Sequence, residues 1–227
     1  FKSIKKANVC GFKKGYASLK DTNLTRANLS ESTFKDANFT LAQFYKTQII
    51  DAKFEHCKFK ASNFIDAKLN NTIFKCSNLS DALFENANLH QVEFIQSEFK
   101  ETDLSEAIFS RTIFKQSSLK QIKNGLPKLL NRSQFVSCDL SHMKFDHRNL
   151  SDVNFQQSNL TDTNFENSVM RRCGFSKVTI KSANFTGTDL TGVDFSYTDL
   201  TGAKFINCDL TNSDFSHANL SNANLEH

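Results

Sequence analysis

Large apolar side chains recur at every fifth position along most of this chain. They stand at Leu19, Leu24, Leu29, Phe34, Phe39 and Phe44, and the series runs without a slip to Leu119. It resumes at Phe135 and continues to Leu225. Two positions before each centre sits a small residue: Ala27, Ala37, Ala52, Ala67 and Ala82, or elsewhere Ser, Thr, Cys or Val. Met143 and Arg148 are the bulky misfits in that slot. The residue between is frequently Asn or Asp, and Ser, Thr or Lys often follows the centre. A period of five matches neither the α-helical repeat of about 3.6 nor the alternation of a plain strand. It requires a corner every five residues, with one large and one small side chain directed inward on each side.

The best copies read Ala27-Asn28-Leu29-Ser30-Glu31, Ala37-Asn38-Phe39-Thr40-Leu41, Ala87-Asn88-Leu89-His90-Gln91 and Ala218-Asn219-Leu220-Ser221-Asn222. On these motifs the chain resembles the pentapeptide-repeat family, whose unit is written A(N/D)LXX. The resemblance implies an all-β fold, a right-handed quadrilateral parallel β-helix with four units per coil, so that residues twenty apart stack. Sorting the centres by twenties supports it. One column is Phe34, Phe54, Phe74, Phe94 and Phe114, and its neighbour is Leu29, Ile49, Leu69, Leu89 and Phe109. After the break, Phe135, Phe155, Phe175, Phe195 and Phe215 form one column and Phe145, Phe165, Phe185 and Phe205 another. Phe on Phe and Leu on Leu keep the volume of each layer nearly constant. The 24 slots from Ile4 to Leu119 and the 19 from Phe135 to Leu225 correspond to about ten to eleven coils. Strand spacing makes that a rod on the order of 50 Å long.

The pattern fails twice. Over Cys10 to Ser18, Lys14 takes a centre slot while Gly11 and Gly15 flank Phe12 and Tyr16, which suits an irregular first coil or cap. Over 120–134 the sequence carries Asn124-Gly125-Leu126-Pro127, and Leu119 to Phe135 spans sixteen residues, three repeats plus one. The expected organisation is a first block at 1–119, a loop insertion at 120–134 and a second block at 135–227 on one continuous rod. The loop bears Lys120, Lys123, Lys128 and Arg132 without an acid, and Leu126, Leu129 and Leu130 suggest that part of it packs back. Long loops on rigid scaffolds often carry function, so Lys120, Lys123, Leu126, Lys128 and Arg132 are candidate partner contacts.

Charge changes the picture further. Residues 1–119 hold 17 basic and 13 acidic side chains, whereas 135–227 hold 7 and 11. Register places Lys20, Lys60, Lys100 and Lys120 on one side, and Lys35, Lys75 and Lys115 on the adjacent one. Tyr45, Ile50 and Ile65 would form a small outward apolar patch, and Asp189 with Asp209, and Asp194 with Asp214, acidic columns. Such charges also keep a β-rod soluble and discourage edge pairing. A lysine stripe attracts acidic partners or phosphates, but without Arg or interleaved exposed aromatics specific nucleic-acid readout is poorly supported.

No catalytic, cofactor or metal constellation is expected. His56, His90, His142, His147 and His217 fall on separate coils or sides, and the core is filled, so no small-molecule substrate is foreseen. The six Cys lack CxxC spacing and read as small buried thiols of a reducing, cytoplasmic compartment. No apolar run approaches a membrane span. The chain opens on Phe1 rather than Met, and Leu225-Glu226-His227 suits a purification-tag junction, so an excised part of a longer protein is expected. The first functional expectation is a non-enzymatic interaction scaffold for a protein partner of unknown identity; the family resemblance adds a bacterial, effector-like setting, with secretion as an alternative location. That resemblance also implies an alternative, a DNA mimic that binds DNA gyrase in the manner of quinolone-resistance proteins. Acidity confined to the second block argues against it. An end-to-end homodimer is the remaining assembly to test.

Overall fold

The computed structural model describes the backbone of residues 8–10 and residues 17–226 in full. The irregular stretch expected at Cys10 to Ser18 therefore lies mostly outside the described residues, at 11–16. Contacts divide the chain into two compact units, Phe1–Lys128 and Leu129–His227.

Each side of the first unit is a ladder of very short parallel strands. The strands are β1 (Asn8–Cys10), β2 (Ala17–Ser18), β3 (Thr33–Lys35), β4 (Ala37–Asn38), β5 (Lys53–Glu55), β6 (Ile73–Lys75), β7 (Asn88–His90), β8 (Glu93–Ile95), β9 (Ile108–Ser110) and β10 (Ile113–Lys115). β11 (Gln134–Val136) opens the second unit. Phe34 pairs with Phe54, Phe54 with Phe74, Phe74 with Phe94 and Phe94 with Phe114, each offset by twenty. β1 pairs with β3 at an offset of 25, Val9 opposite Phe34, so one five-residue unit is in excess there. Isolated bridges extend the rule: Asn23, Gln43, Asn63, Leu83, Asp103 and Lys123 give five steps of twenty in the first unit. Gln134, Asn154, Gly174, Asp194 and Asp214 give four in the second. These steps, unit by unit, replace the single figure of ten to eleven coils.

The corners explain the number four. Two residues after nearly every centre the backbone is left-handed, as at Arg26 (φ 58°), Glu31 (58°), Leu41 (62°) and Lys46 (54°). At most corners the next amide donates back to the centre carbonyl, for example Ala27 N to Leu24 O at 2.9 Å. Positive φ at the third residue of a turn closed by an i to i+3 bond is the type II geometry. One such corner per five residues and an offset of twenty make a four-sided β-solenoid.

Inside, the centres are almost wholly excluded from water, Phe34, Phe74, Phe165 and Leu190 at 0 % exposure. Rings stack face to face up each column, Phe34 on Phe54 at 5.1 Å and Phe145 on Phe165 at 5.2 Å. They meet edge to face between neighbouring columns, Phe34 on Phe39 at 5.3 Å and 77°. Both arrangements suit the ring quadrupole and add about 0.5–1.5 kcal/mol per pair to burial. The small slot does more than make room. Thr47 and Thr102 donate their hydroxyls to Leu24 O and Leu79 O of the preceding coil, both at 2.8 Å.

Of the segment 120–134, both ends carry repeat-type bonds. Lys123 N donates to Thr102 O at 2.9 Å, and Ser133 N to Leu130 O at 2.7 Å, with Arg132 at φ 52°. Leu130 is 1 % exposed and stands where a centre belongs.

Candidate functional site

Outward side chains sit immediately before and after each centre, so every face carries two columns. On the face of β3, β5, β6, β8 and β10, two of the four lysines, Lys75 and Lys115, are closely matched by acids. Lys75 Nζ lies 3.2 Å from Glu55 Oε1, Lys35 lies 4.0 Å from the same carboxylate, and Lys115 lies 3.0 Å from Glu93. The Lys75 bond and charge hold the Glu55 carboxyl below its usual range. Ile73, Ile95 and Ile113, all half-buried, and the exposed Thr33 and Lys53 occupy the remaining places.

The next face differs. It presents Lys20, Lys60, Lys100 and Lys120 after the centres and Lys58 before one, all exposed, with Glu98 the acid among these columns. Glu98 is engaged by Asn78 Nδ2 at 2.6 Å. Lys20 and Lys60 reach Asp21 and Asp81 only at 4.0 Å, from neighbouring corners. Lys100 makes no ion pair among the described residues, and borders a depression of about 300 Å³ lined by Gln96, Gln116, Gln121 and Ser118. Sequence register placed both lysine columns; the close pairing of Lys75 and Lys115 depends on Glu55 and Glu93, whose reach register alone does not reveal.

The remaining candidates scatter. Tyr45, Ile50 and Ile65 are half-buried rather than exposed, and Lys46 lies 4.9 Å from the Tyr45 ring centre and 3.9 Å from Asp66. In the basic segment Lys120, Lys123, Lys128 and Arg132 are exposed. Leu126 is 3 % exposed and offers no surface to a partner, while Leu129, at 58 %, does.

In the second unit Asp189 pairs in register with Asp209, and Asp194 with Asp214, as the columns predicted. Their carboxylates are also structural. Asp209 and Asp214 accept the amides of Thr211 (3.0 Å) and Ser216 (2.8 Å), and bonds from those residues hold both carboxyls below the usual range. Asp189 additionally receives Arg171 Nε at 2.6 Å. Tyr197 and His217 stack at 4.7 Å on an exposed corner that the sequence did not single out.

Burial drives the Cys57 thiol up to about 12 and the Cys173 thiol up as well; Cys76 is half-exposed. Among the described residues no group of three or more His, Cys, Asp or Glu is placed to hold a metal ion. No described helix is long and apolar enough to cross a membrane.

A family model described as a pentapeptide repeat region matches residues 47–123 and 128–205, and one for pentapeptide repeats of eight copies matches 17–55 and 188–226. No curated protein matches the sequence. Among solved structures, HetL, a pentapeptide-repeat protein involved in heterocyst differentiation regulation in the cyanobacterium Nostoc sp. strain PCC 7120, is 19 % identical over 97 % of this chain and 90 % of its own, with a TM-score of 0.49. QnrB1, a plasmid-mediated fluoroquinolone resistance protein, is 18 % identical over 97 % and 92 %, with a TM-score of 0.34. A pentapeptide-repeat protein of the Arabidopsis thaliana thylakoid lumen is 25 % identical over 39 % and 66 %, with a TM-score of 0.28.

Proposed function

Because the chain belongs to the pentapeptide-repeat family, we propose that it is a non-enzymatic interaction scaffold whose first unit offers its lysine face to an acidic protein partner. The observation that carries this is the contrast between adjacent faces. Lys75 and Lys115 are neutralised within the fold, whereas Lys100 has no ion-pair partner among the described residues and Lys20 and Lys60 have distant ones. Rungs of a β-ladder are about 4.8 Å apart, so Lys60 and Lys100, two rungs apart, repeat at about 10 Å. An extended acidic segment can follow such a column, each contact adding a few tenths to about 1 kcal/mol and steering the encounter. The filled core provides no interior site for a reacting molecule. Titration with poly-glutamate in low salt tests the reading. Binding that weakens steeply with added salt is expected; absence of binding at low salt, or equal binding to poly-lysine, would contradict it.

The acidic columns of the second unit support a second reading, in which they imitate duplex DNA and engage DNA gyrase. Asp189 and Asp209 stand on successive rungs, as the imitation needs, but Arg171 already neutralises Asp189. A supercoiling assay in which micromolar protein leaves gyrase unaffected would eliminate it.

A further inference from the structure

Asparagine recurs through this fold, and in most places its surroundings disarm it chemically. An asparagine degrades when the backbone nitrogen of the next residue attacks its side-chain carbonyl carbon. At most corner asparagines, Asn207 excepted, that nitrogen is already occupied: after Asn71, Asn167 and Asn212 the amides of Thr72, Ser168 and Ser213 donate to Leu69, Phe165 and Leu210 carbonyls at 3.0–3.1 Å. At asparagines before a centre, other than those of the last coil, the nitrogen is held by the next coil, Phe64 N to Leu83 O at 2.8 Å after Asn63, for instance. The Asn63 carboxamide is itself pinned, accepting Ile65 N at 2.9 Å.

Asn124 escapes the first of these restraints, the one on the following amide. It is exposed, is followed by Gly125, and the two residues have φ of 59° and 80°, outside the repeat's bonding scheme. The Gly125 amide makes no hydrogen bond among the described residues, and a Cβ built on Gly125 would meet nothing within 4 Å. We propose that Asn124-Gly125 is a self-modification site at which the folded protein deamidates selectively. The Gly125 nitrogen bonds to Asn124 Cγ and gives up its proton to solvent base, and as the Cγ–Nδ2 bond breaks Nδ2 takes a proton from solvent and leaves as ammonia. Water then opens the cyclic imide to aspartate or isoaspartate.

The product matters because of its neighbour. Asn124 Nδ2 donates to Asp103 Oδ2 at 2.8 Å, and Asp103 bridges Lys123 in the last rung of the first unit. Deamidation replaces that donor by a second carboxylate, turning an attraction into like-charge repulsion. It also adds one negative charge to the basic segment, lowering its net charge by one unit.

The full chain, held at mildly alkaline pH in native buffer and in parallel in urea, should be mapped by peptide mass spectrometry over time. Conversion at Asn124 is expected within a few-fold of its rate in urea, with Asn71, Asn167 and Asn212 slowed by more than an order of magnitude. Slowing of Asn124 by the same factor as the others would overturn selectivity. Asn124→Asp, made directly, should melt below Asn124→Ser at neutral pH and lose that deficit in acid, where the carboxyls protonate; identical melting would overturn the proposed repulsion.

Discussion

At the scale of the residue, the unusual feature is the corner. Among the described residues 36 non-glycine residues adopt φ between 50° and 63°, including Leu41, Arg26 and Ala61. Each left-handed L-residue costs about 1–2 kcal/mol in isolation. Cross-coil bonds oppose that cost, as when Arg26 N donates to Tyr45 O at 2.9 Å. Gly187 and Gly192 occupy the same slot with φ of 67°. Gly192→Ala meets only the backbone strain and should lose about 1 kcal/mol in urea melts. Gly187→Ala also drives a methyl into Asn167 Oδ1 and should lose more. Equal losses would contradict the steric account. These corners were invisible in the sequence because the slot is filled by Asp, Glu, Lys, His and Gln as readily as by Gly. The period of five announced that the chain turns, but side-chain composition carried no sign of how.

At the scale of the element, one corner departs from the rest. Beside the column of Phe54, Phe74 and Phe94, the amides that elsewhere close the turn look to the next coil instead. Cys57 N donates to Ser77 Oγ at 3.3 Å, Ser77 N to Ser97 Oγ at 3.3 Å and Ser97 N to Ser117 Oγ at 3.1 Å. Ser97→Ala leaves the buried Ser77 amide without an acceptor and should cost about 1–3 kcal/mol. Ser97→Cys keeps size and a weak acceptor, so it should cost less in the same melts; the reverse order would refute the ladder. Sequence reading took Ser, Thr and Cys here as small fillers, since stacking twenty apart shows size and not bonding. The Asn and Asp before the centres were likewise legible as a pattern while their amide-accepting role was not. That role has a pH consequence. Asp209 and Asp214 are held below the ordinary carboxylate range by bonds from Thr211 and Ser216, and Glu55 by Lys75. A depressed folded value means stability present above the unfolded value and lost as pH falls through the folded one. Thermal melts should therefore decline below about pH 4, and Asp209→Asn should flatten that decline; an unchanged acid limb would contradict it.

At the scale of the whole molecule, each unit is a stack whose stability is a sum of nearest-neighbour rung terms. Charge is divided between them: the first unit holds 20 basic and 13 acidic residues, the second 8 and 11. The repeat family, the four sides and the charge division were all legible in the sequence, because period and composition encode them directly. The burial of Leu126 and the unequal fates of two lysine columns were not, because they depend on the path of one non-repeating segment and on the reach of Glu55 and Glu93. The account rests on that inequality, and paired substitutions test it. Poly-glutamate affinity should be measured at low salt for Lys100→Gln and Lys75→Gln, with folding verified by circular dichroism. Lys100→Gln should weaken binding several-fold, about 0.5–1 kcal/mol, and Lys75→Gln should leave it unchanged. Equal losses, or a greater loss at Lys75, would contradict the assignment of the lysine face.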